Sequence, residues 1–361
     1  MRGSLPFLDL PVVLAPLGGA ATVRLVSAVS NAGGFGILPC AYLTAEQITA
    51  QIRTLRSETS RPFGVNVFVE HPPYAADERV LSVAHERLRP YREELGLAQS
   101  PTPALPPDRY ARQIEAILEA KPAVFTFTFG IPDAATLRRL RAAGVFALGT
   151  ATTVEEARAL AAAGVDGIFA QGSEAGAHRG TFLADVERSL IGTLALVPQV
   201  VDATGLPVIA AGGIGDGRGV AAVLALGAVA AALGTSFLLA DESGIAGAYR
   251  DVLRSDRSRH TALTRAFSGR AARGILNRVM LEFRDCDDAI APYPFQNAMT
   301  RDIRTAAAEQ GRAEFLSLWA GQAASFAKAK AAAEIVAEVV REARAALAAV
   351  ETECNLRSPE V

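Results

Sequence analysis

The residues most able to do chemistry sit in one stretch, Val165 to Phe182, which reads VDGIFAQGSEAGAHRGTF. An apolar run, Gly167 to Ala170, leads into a loop carrying Gly172, Gly176 and Gly180. Between the glycines stand Gln171, Ser173, Glu174, His178 and Arg179. Glycine lets backbone approach a ligand and adopt positive φ. A lone histidine in such a loop is a candidate acid, base or anion contact near neutral pH. Two further turns, Gly212-Gly213-Ile214 and Leu233-Gly234-Thr235, have the composition of a phosphate cradle. A phosphate needs several backbone donors at close range, and side chains would hold it away. Asn66 is polar within the apolar run FGVNVFV, so its amide must be satisfied by the fold or by a ligand. Gln171 poses the same question. Tyr293, in the proline-stiffened PYPFQNAMT, lines a pocket or simply packs. His71, His85 and His260 lie in segments that read as solvated.

The elements that must position these residues follow a rhythm. Short apolar runs near 12–15, 35–38, 63–69, 123–129, 145–149, 167–170, 207–211 and 228–233 read as strands. Most are followed by a helical stretch opened by a polar cap, such as Thr44, Asp133 or Thr153. Runs buried on both faces with crossover helices mean a parallel sheet. Eight such units predict an α/β fold, a (β/α)8 TIM barrel, with a doubly wound open sheet as the alternative. The rhythm breaks at 70–107, where proline is dense. That is an insertion after the third strand, with a helix expected near 78–95. Residues 1–238 are expected to form the barrel and 239–361 a mostly helical extension packed on it. The long apolar helix near 334–350 serves that packing or a homodimer, so monomer and homodimer both remain open. The loop at the sixth strand then falls at the barrel's C-terminal mouth, where such folds place their chemistry.

Composition narrows the classes. Over 361 residues, 36 basic and 38 acidic residues leave a formal charge of -2, which gives no sign of a nucleic-acid partner. Cys40, Cys286 and Cys354 are widely spaced and show neither a disulfide framework nor a metal-ligand spacing, so no metal is expected. No charged-then-apolar leader is visible at the start, and no apolar run reaches the ~20 residues that span a bilayer. A cytoplasmic protein with no membrane partner is the expectation.

The segments LAPLGG (14–19), SNAGGFGIL (30–38), FGVNVF (63–68), QGSEAGAHRGTF (171–182), PVIAAGGIGDG (207–217) and LGTSFL (233–238), in this order, resemble the nitronate monooxygenases, long called 2-nitropropane dioxygenases. PYPFQNAMT (292–300) and FLSLWAGQ (315–322) resemble the class I branch. The resemblance implies FMN as cofactor and oxidation of an alkyl nitronate by O2 to a carbonyl compound plus nitrite, with propionate 3-nitronate one candidate substrate. It implies that Asn66, Gln171 and Gly176 contact the flavin. Ala15, Pro16, Leu17 and Gly212 join the cofactor set, and Gly213 is implied to hold the FMN phosphate. Ala232, Leu233, Gly234 and Thr235 would hold the FMN phosphate, and Tyr293 and Ser173 would line the substrate pocket. His178 would sit over the flavin, either donating a hydrogen bond to a nitronate oxygen or, when neutral, removing the α-proton of a nitroalkane. The chain departs from the family pattern at Leu17, where methionine is common, at Ala232, where glutamine is usual, and at Ala177, where glycine is frequent. An NADH-dependent quinone reductase and an enoyl-thioester reductase share fold and flavin. A flavin-free phosphate-binding barrel enzyme is the rival from another class.

Overall fold

The structure is a computed structural model describing residues 5–69, 74–99 and 109–356. His71 and the proline cluster at 101–107 lie outside the described residues. The strands in chain order are β1 (Val12–Leu14), β2 (Phe35–Pro39), β3 (Gly64–Phe68), β4 (Val124–Thr128), β5 (Phe146–Ala151), β6 (Gly167–Gln171), β7 (Ala177–His178), β8 (Val208–Ala211), β9 (Ala230–Leu233), β10 (Thr261–Thr264) and β11 (Ala272–Ile275). The helices are α1 (Val23–Asn31), α2 (Ala45–Glu58), α3 (Glu78–Glu94), α4 (Tyr110–Ala120), α5 (Ala134–Ala142), α6 (Val154–Ala163), α7 (Thr193–Thr204), α8 (Gly217–Ala225), α9 (Gly247–Arg254), α10 (Arg278–Glu282), α11 (Phe295–Met299), α12 (Arg301–Glu309) and α13 (Ala332–Leu356).

Strands β1 to β6, β8 and β9 pair in parallel and close on themselves, β9 returning to β1. This is the (β/α)8 barrel, and the open-sheet alternative is excluded by the closure. Inward residues Val13, Ile37, Val124, Leu148, Phe169 and Ile209 fill the interior. Each such buried side chain contributes roughly 1.5–3 kcal/mol. Phe7 stacks at 4.7 Å on Phe35 and 5.4 Å on Phe146, the first residues of β2 and β5, and so plugs the N-terminal end. The interior is therefore packed, and the opposite end is left for a site. The polar caps expected from sequence form: Thr44 makes a capping box with Gln47, and Asp133 and Thr153 accept from their N3 amides.

The expected division near residue 238 needs correction. After β9 the chain builds a separate layer, and α13 then returns to pack against α8 and α1. Ile335, Val336 and Val339 of α13 belong to the same buried cluster as the barrel's outer layer. The helical ring is thus α1, α2, α4, α5, α6, α7, α8 and α13, and α13 is its eighth member. An apolar stripe of alanine and valine fits that role, which is why periodicity alone did not separate it from a dimer face.

The layer between β9 and α13 is mostly helical but not helical alone. It contains the antiparallel pair β10–β11, and β11 pairs on its other edge with β7 from the site loop, Ala272 opposite His178. This cap has its own core. Leu88 and Tyr91 of the inserted α3 pack there with Phe283, Met299 and Phe315. Arg92, also on α3, donates to the Met299 carbonyl (2.7 Å) and to Asp302 (3.0 Å). The insertion and the cap are therefore one unit. Among the described residues, no helix is long and apolar enough to cross a membrane.

Candidate active site

The loop after β6 is held by buried and half-buried charges. Glu156, in the first turn of α6, is fully buried. It accepts from the amides of Thr152 (2.7 Å), Phe182 (2.6 Å) and Leu183 (3.0 Å), and from the hydroxyls of Thr152 and Thr181. Burial pushes its carboxyl up, but these donors outweigh burial and hold it below the ordinary range. Arg179 is also buried. It donates to the carbonyls of Gln171 (2.6 Å) and Gly172 (2.8 Å), and to that of Ser189. Burial draws its guanidinium down to about 10, so it remains a cation. Glu174 accepts from Thr193 N–H (2.9 Å) and so caps α7, whose own N-cap residue is Gly192. The glycines follow from these contacts. A Cβ on Gly172 would lie 1.9 Å from Thr193 Oγ1, and one on Gly176 would lie 2.5 Å from Gly321 N.

Gln171 and Asn66 both find side-chain partners within the protein. Gln171 Nε2 donates to the His178 carbonyl (3.0 Å), and its Oε1 accepts from Gly180 N–H (2.8 Å), closing the loop on itself. The buried Asn66 donates to Thr126 Oγ1 at 2.9 Å. Gly176 presses on the Ala320–Gly321 backbone of the cap. Ser173 gives its carbonyl to Arg273 Nε at 3.1 Å.

At the ends of β8 and β9 the site is main chain. Ala211 pairs with Ala232, so the two glycine turns leave the barrel side by side. Ser236 Oγ ties them by donating to the Gly215 carbonyl at 3.0 Å. Gly212 and Gly213 have φ of +111° and +69°, a conformation that favours glycine. The amides of Gly213 and Thr235 donate to no acceptor among the described residues. Ala15 N–H donates to the Leu233 carbonyl (3.0 Å), and Leu17 lies 3.1 Å from where a Gly234 Cβ would stand. The structure thus brings Ala15, Pro16, Leu17, Gly212, Gly213, Ala232, Leu233, Gly234 and Thr235 to one end of the mouth. Open amides and glycine-only backbone fit a phosphate-bearing cofactor.

At the ends of β3, β4 and β6 the site is side chains. His178 stands among four aromatic rings: Phe68 (centroids 5.9 Å apart), Phe129 (5.8 Å), Tyr293 (6.3 Å) and Trp319 (5.8 Å). Its Nε2 is 2.9 Å from Ser268 Oγ. Ser268 Oγ also accepts from Arg270 N–H (3.2 Å) and donates its proton to the Arg270 carbonyl (3.0 Å). The tautomer with the proton on Nε2 of His178 and the lone pair on Nδ1 satisfies all three contacts of Ser268 Oγ at once. Burial lowers the imidazole to about 3, and the nearby Arg270 and Arg304 add to the shift. His178 is therefore neutral at pH 7, with its single N–H engaged by Ser268.

Beside His178 lies a cavity of about 320 Å³ lined by Phe68, Val69, Tyr74, Phe129, Arg270 and Tyr293, among others. Ser173 is not among the lining residues. The Arg270 guanidinium stacks 3.7 Å from the Phe129 ring centroid, and Nη2 donates to the Thr181 carbonyl at 2.8 Å. The hairpin turn carrying it is fixed from behind. Gln296 Nε2 donates to the Ala266 carbonyl (2.7 Å), and Thr300 Oγ1 to that of Phe267 (2.5 Å). A Cβ on Gly269 would meet Tyr293 N at 2.5 Å. Arg270, Ser268, Phe129 and Trp319 were not singled out from sequence, since each comes from a segment distant in the chain. Among the described residues, three of the four non-glycine residues with positive φ border this mouth: Phe129 (76°), Ala177 (61°) and Leu318 (44°). Such strain persists only where the surroundings over-determine it, and it collects at functional sites. Of the other described histidines, His260 is exposed and His85 half-buried, both outside this cage.

A closed parallel barrel with a capped C-terminal mouth, a main-chain cradle on its last two strands and a half-buried histidine caged by aromatic rings defines a TIM-barrel enzyme. The nitronate monooxygenase family model matches residues 5–342, and the chain belongs to that family, an oxidoreductase group. It is 40% identical over 336 residues to a probable nitronate monooxygenase of Staphylococcus aureus (strain Newman), covering 93% of this chain and 94% of that protein. Among solved structures it resembles a nitroalkane oxidase from Streptomyces ansochromogenes at 40% identity and a TM-score of 0.90, covering 95% of this chain and 98% of the other. It also resembles FabK from Thermotoga maritima at 26% identity and a TM-score of 0.76, covering 96% of each chain.

Proposed function

We propose that the protein oxidises alkyl nitronates with FMN and O2, giving a carbonyl compound and nitrite, with propionate 3-nitronate among the candidate substrates. The observation that carries this reading is the cavity: small, aromatic, and with one guanidinium but no carboxylate among its described lining residues. Such a lining suits a small organic anion. The main-chain cradle at Gly212–Gly213 and Leu233–Thr235 would hold the FMN phosphate, and Asn66 and Ala15–Leu17 would border the ring system. When bound, FMN would supply the electron chemistry between nitronate and O2.

The chain's own residues do the rest. The aromatic cage excludes water and strengthens the field of Arg270 and Arg304 on an anion. His178 stays uncharged in that field, held by Ser268, and presents Nδ1 as an acceptor. A base with so low a pKa is poorly matched to removing the α-proton of a neutral nitroalkane at pH 7. The preformed nitronate is therefore the better substrate.

The test is to identify heat-released flavin by chromatography, then mix the purified protein with a nitronate without O2 and follow flavin reduction. Release of FMN and rapid bleaching by nitronate are expected. Release of FAD, or bleaching by NADH alone, would move the assignment to the quinone or enoyl-thioester reductase alternatives. His178→Asn should cost the nitronate reaction no more than about tenfold, the size of one lost hydrogen bond. The wild-type kcat/KM for nitronate should also show no ionisation near pH 6.5, the ordinary histidine value. A clear step there, abolished in His178→Asn, would show that the imidazole titrates during turnover.

A further inference from the structure

Arg270 is the charged group that lines the cavity beside His178, and its surroundings set it apart from the molecule's other arginines. The buried Arg179 nearby is spent on several carbonyls of the fold. Arg270 makes one described side-chain hydrogen bond, to the Thr181 carbonyl, and no ion pair with a described carboxylate. Its plane is fixed by the Phe129 ring at 3.7 Å. Its backbone is fixed by both bonds to Ser268 Oγ. Thr181 is itself held by the buried Glu156, so the anchor of the guanidinium is rigid. Burial draws its pKa down, while the phenols of Tyr293 and Tyr74 act to raise it. A desolvated cation with spare donors and a rigid mount is costly to leave without an anion. A guanidinium offers paired N–H groups that match a planar two-oxygen anion.

We propose that Arg270 is the specificity residue of this site, binding the planar two-oxygen anionic head of the substrate. That head is either the nitronate itself or a carboxylate carried on the same molecule. This rests on the function proposed above. It assigns charge recognition to the hairpin turn of the cap, with His178 as the neutral neighbour that the same cation helps to keep unprotonated.

The test compares Arg270→Met and Arg270→Lys with the wild-type, flavin-loaded enzyme on two substrates: the nitronate of 1-nitropropane, which has one anionic head, and propionate 3-nitronate, which has two. Arg270→Met should raise KM about 10- to 100-fold, the range of a lost charge-assisted hydrogen bond, with kcat changing much less. Arg270→Lys keeps the charge and loses the fork, so it should recover part of the loss. Equal losses on both substrates identify the nitronate as the bound head. A loss confined to propionate 3-nitronate identifies the carboxylate. KM unchanged on both, or a fall in kcat alone, overturns the proposal. Circular dichroism and flavin content check the fold, and should Arg270→Met not fold, a KM for Arg270→Lys equal to wild type overturns the proposal just the same. If the wild type turns over no nitronate, the function proposed above fails, and calorimetric titration with nitrate and butanoate still decides the role of Arg270. Binding by wild type that weakens at least tenfold in Arg270→Met supports it, and equal binding overturns it.

Discussion

At the ends of β8 and β9 the mouth of the barrel is made of main chain; at the ends of β3, β4 and β6 it is made of side chains. The first region uses glycine turns that leave neighbouring strands in register, Ala211 beside Ala232. Beyond those strands it is braced by the cap, where Gly321 N–H donates to Thr235 Oγ1 at 3.0 Å. The second draws Phe68, Phe129, His178, Arg270, Tyr293 and Trp319 from six separate segments, and its geometry depends on β7 pairing with β11. The main-chain end is generic, since backbone amides suit any phosphate. The side-chain end is particular, because each ring and charge was placed by a long-range contact. Binding of a cofactor and choice of a substrate are therefore separable by mutation.

The largest effect is expected at Gly176→Val. A Cβ there would lie 2.5 Å from Gly321 N and 2.6 Å from the Ala320 carbonyl carbon, both backbone that cannot swing aside. The loop must lift from the cap and take His178 with it. A loss of about 3 kcal/mol of stability is expected, as for a severe overpacking, together with most of the activity. Thermal unfolding and turnover measure both, and a variant with wild-type values would show that the side-chain end does not depend on this docking.

Gly213→Val probes the other region. Its φ of +69° strains any β-branched residue, at roughly 1–2 kcal/mol, and its Cβ would meet only the Glu174 side chain at 3.2 Å. FMN retention should fall at least tenfold while the fold survives, and KM for nitronate on the flavin-loaded fraction should hardly move. Coupled losses of flavin and substrate affinity would break the separation just drawn. Flavin titration of the apoprotein gives the number.

The smallest effect is expected at Ala177→Gly. Ala177 sits at φ 61° immediately before His178. Glycine removes the strain of roughly 1–2 kcal/mol but adds about 0.4–1 kcal/mol of unfolded-state entropy. A gain of no more than about 1.5 kcal/mol in denaturant unfolding is expected. A loss would mean that the alanine methyl is packed rather than tolerated.

Much of the main-chain end was legible from sequence. Strand period and glycine pairs are local signals, and they located the eight barrel strands and both turns. The departure at Ala177 was also visible as a missing glycine, and the positive φ supplies its meaning. The side-chain end was legible only at His178 and Tyr293. Arg270 lies in an arginine-rich segment without periodicity, so nothing local separates it from Arg265, which is exposed. Glu156 reads as an ordinary acid in a helix's first turn, and only the fold shows five donors converging on it. Residues 261–275 carry too short an alternation to declare a hairpin, and β7 is two residues long.

The return of α13 to the barrel has a consequence for the order of events on the ribosome. All eight barrel strands have been made by Leu233, yet the groove between α8 and α1 stays uncovered until Ile335, Val336 and Val339 emerge. Translation at ~5–20 residues per second puts roughly 5–20 s between those moments. Throughout that interval a nascent chain with a closed sheet exposes an apolar seam, while the intervening residues must assemble the cap. The last helix made is thus the one that seals the first, and a stalled or prematurely ended chain would be open to chaperones and proteases along that single seam.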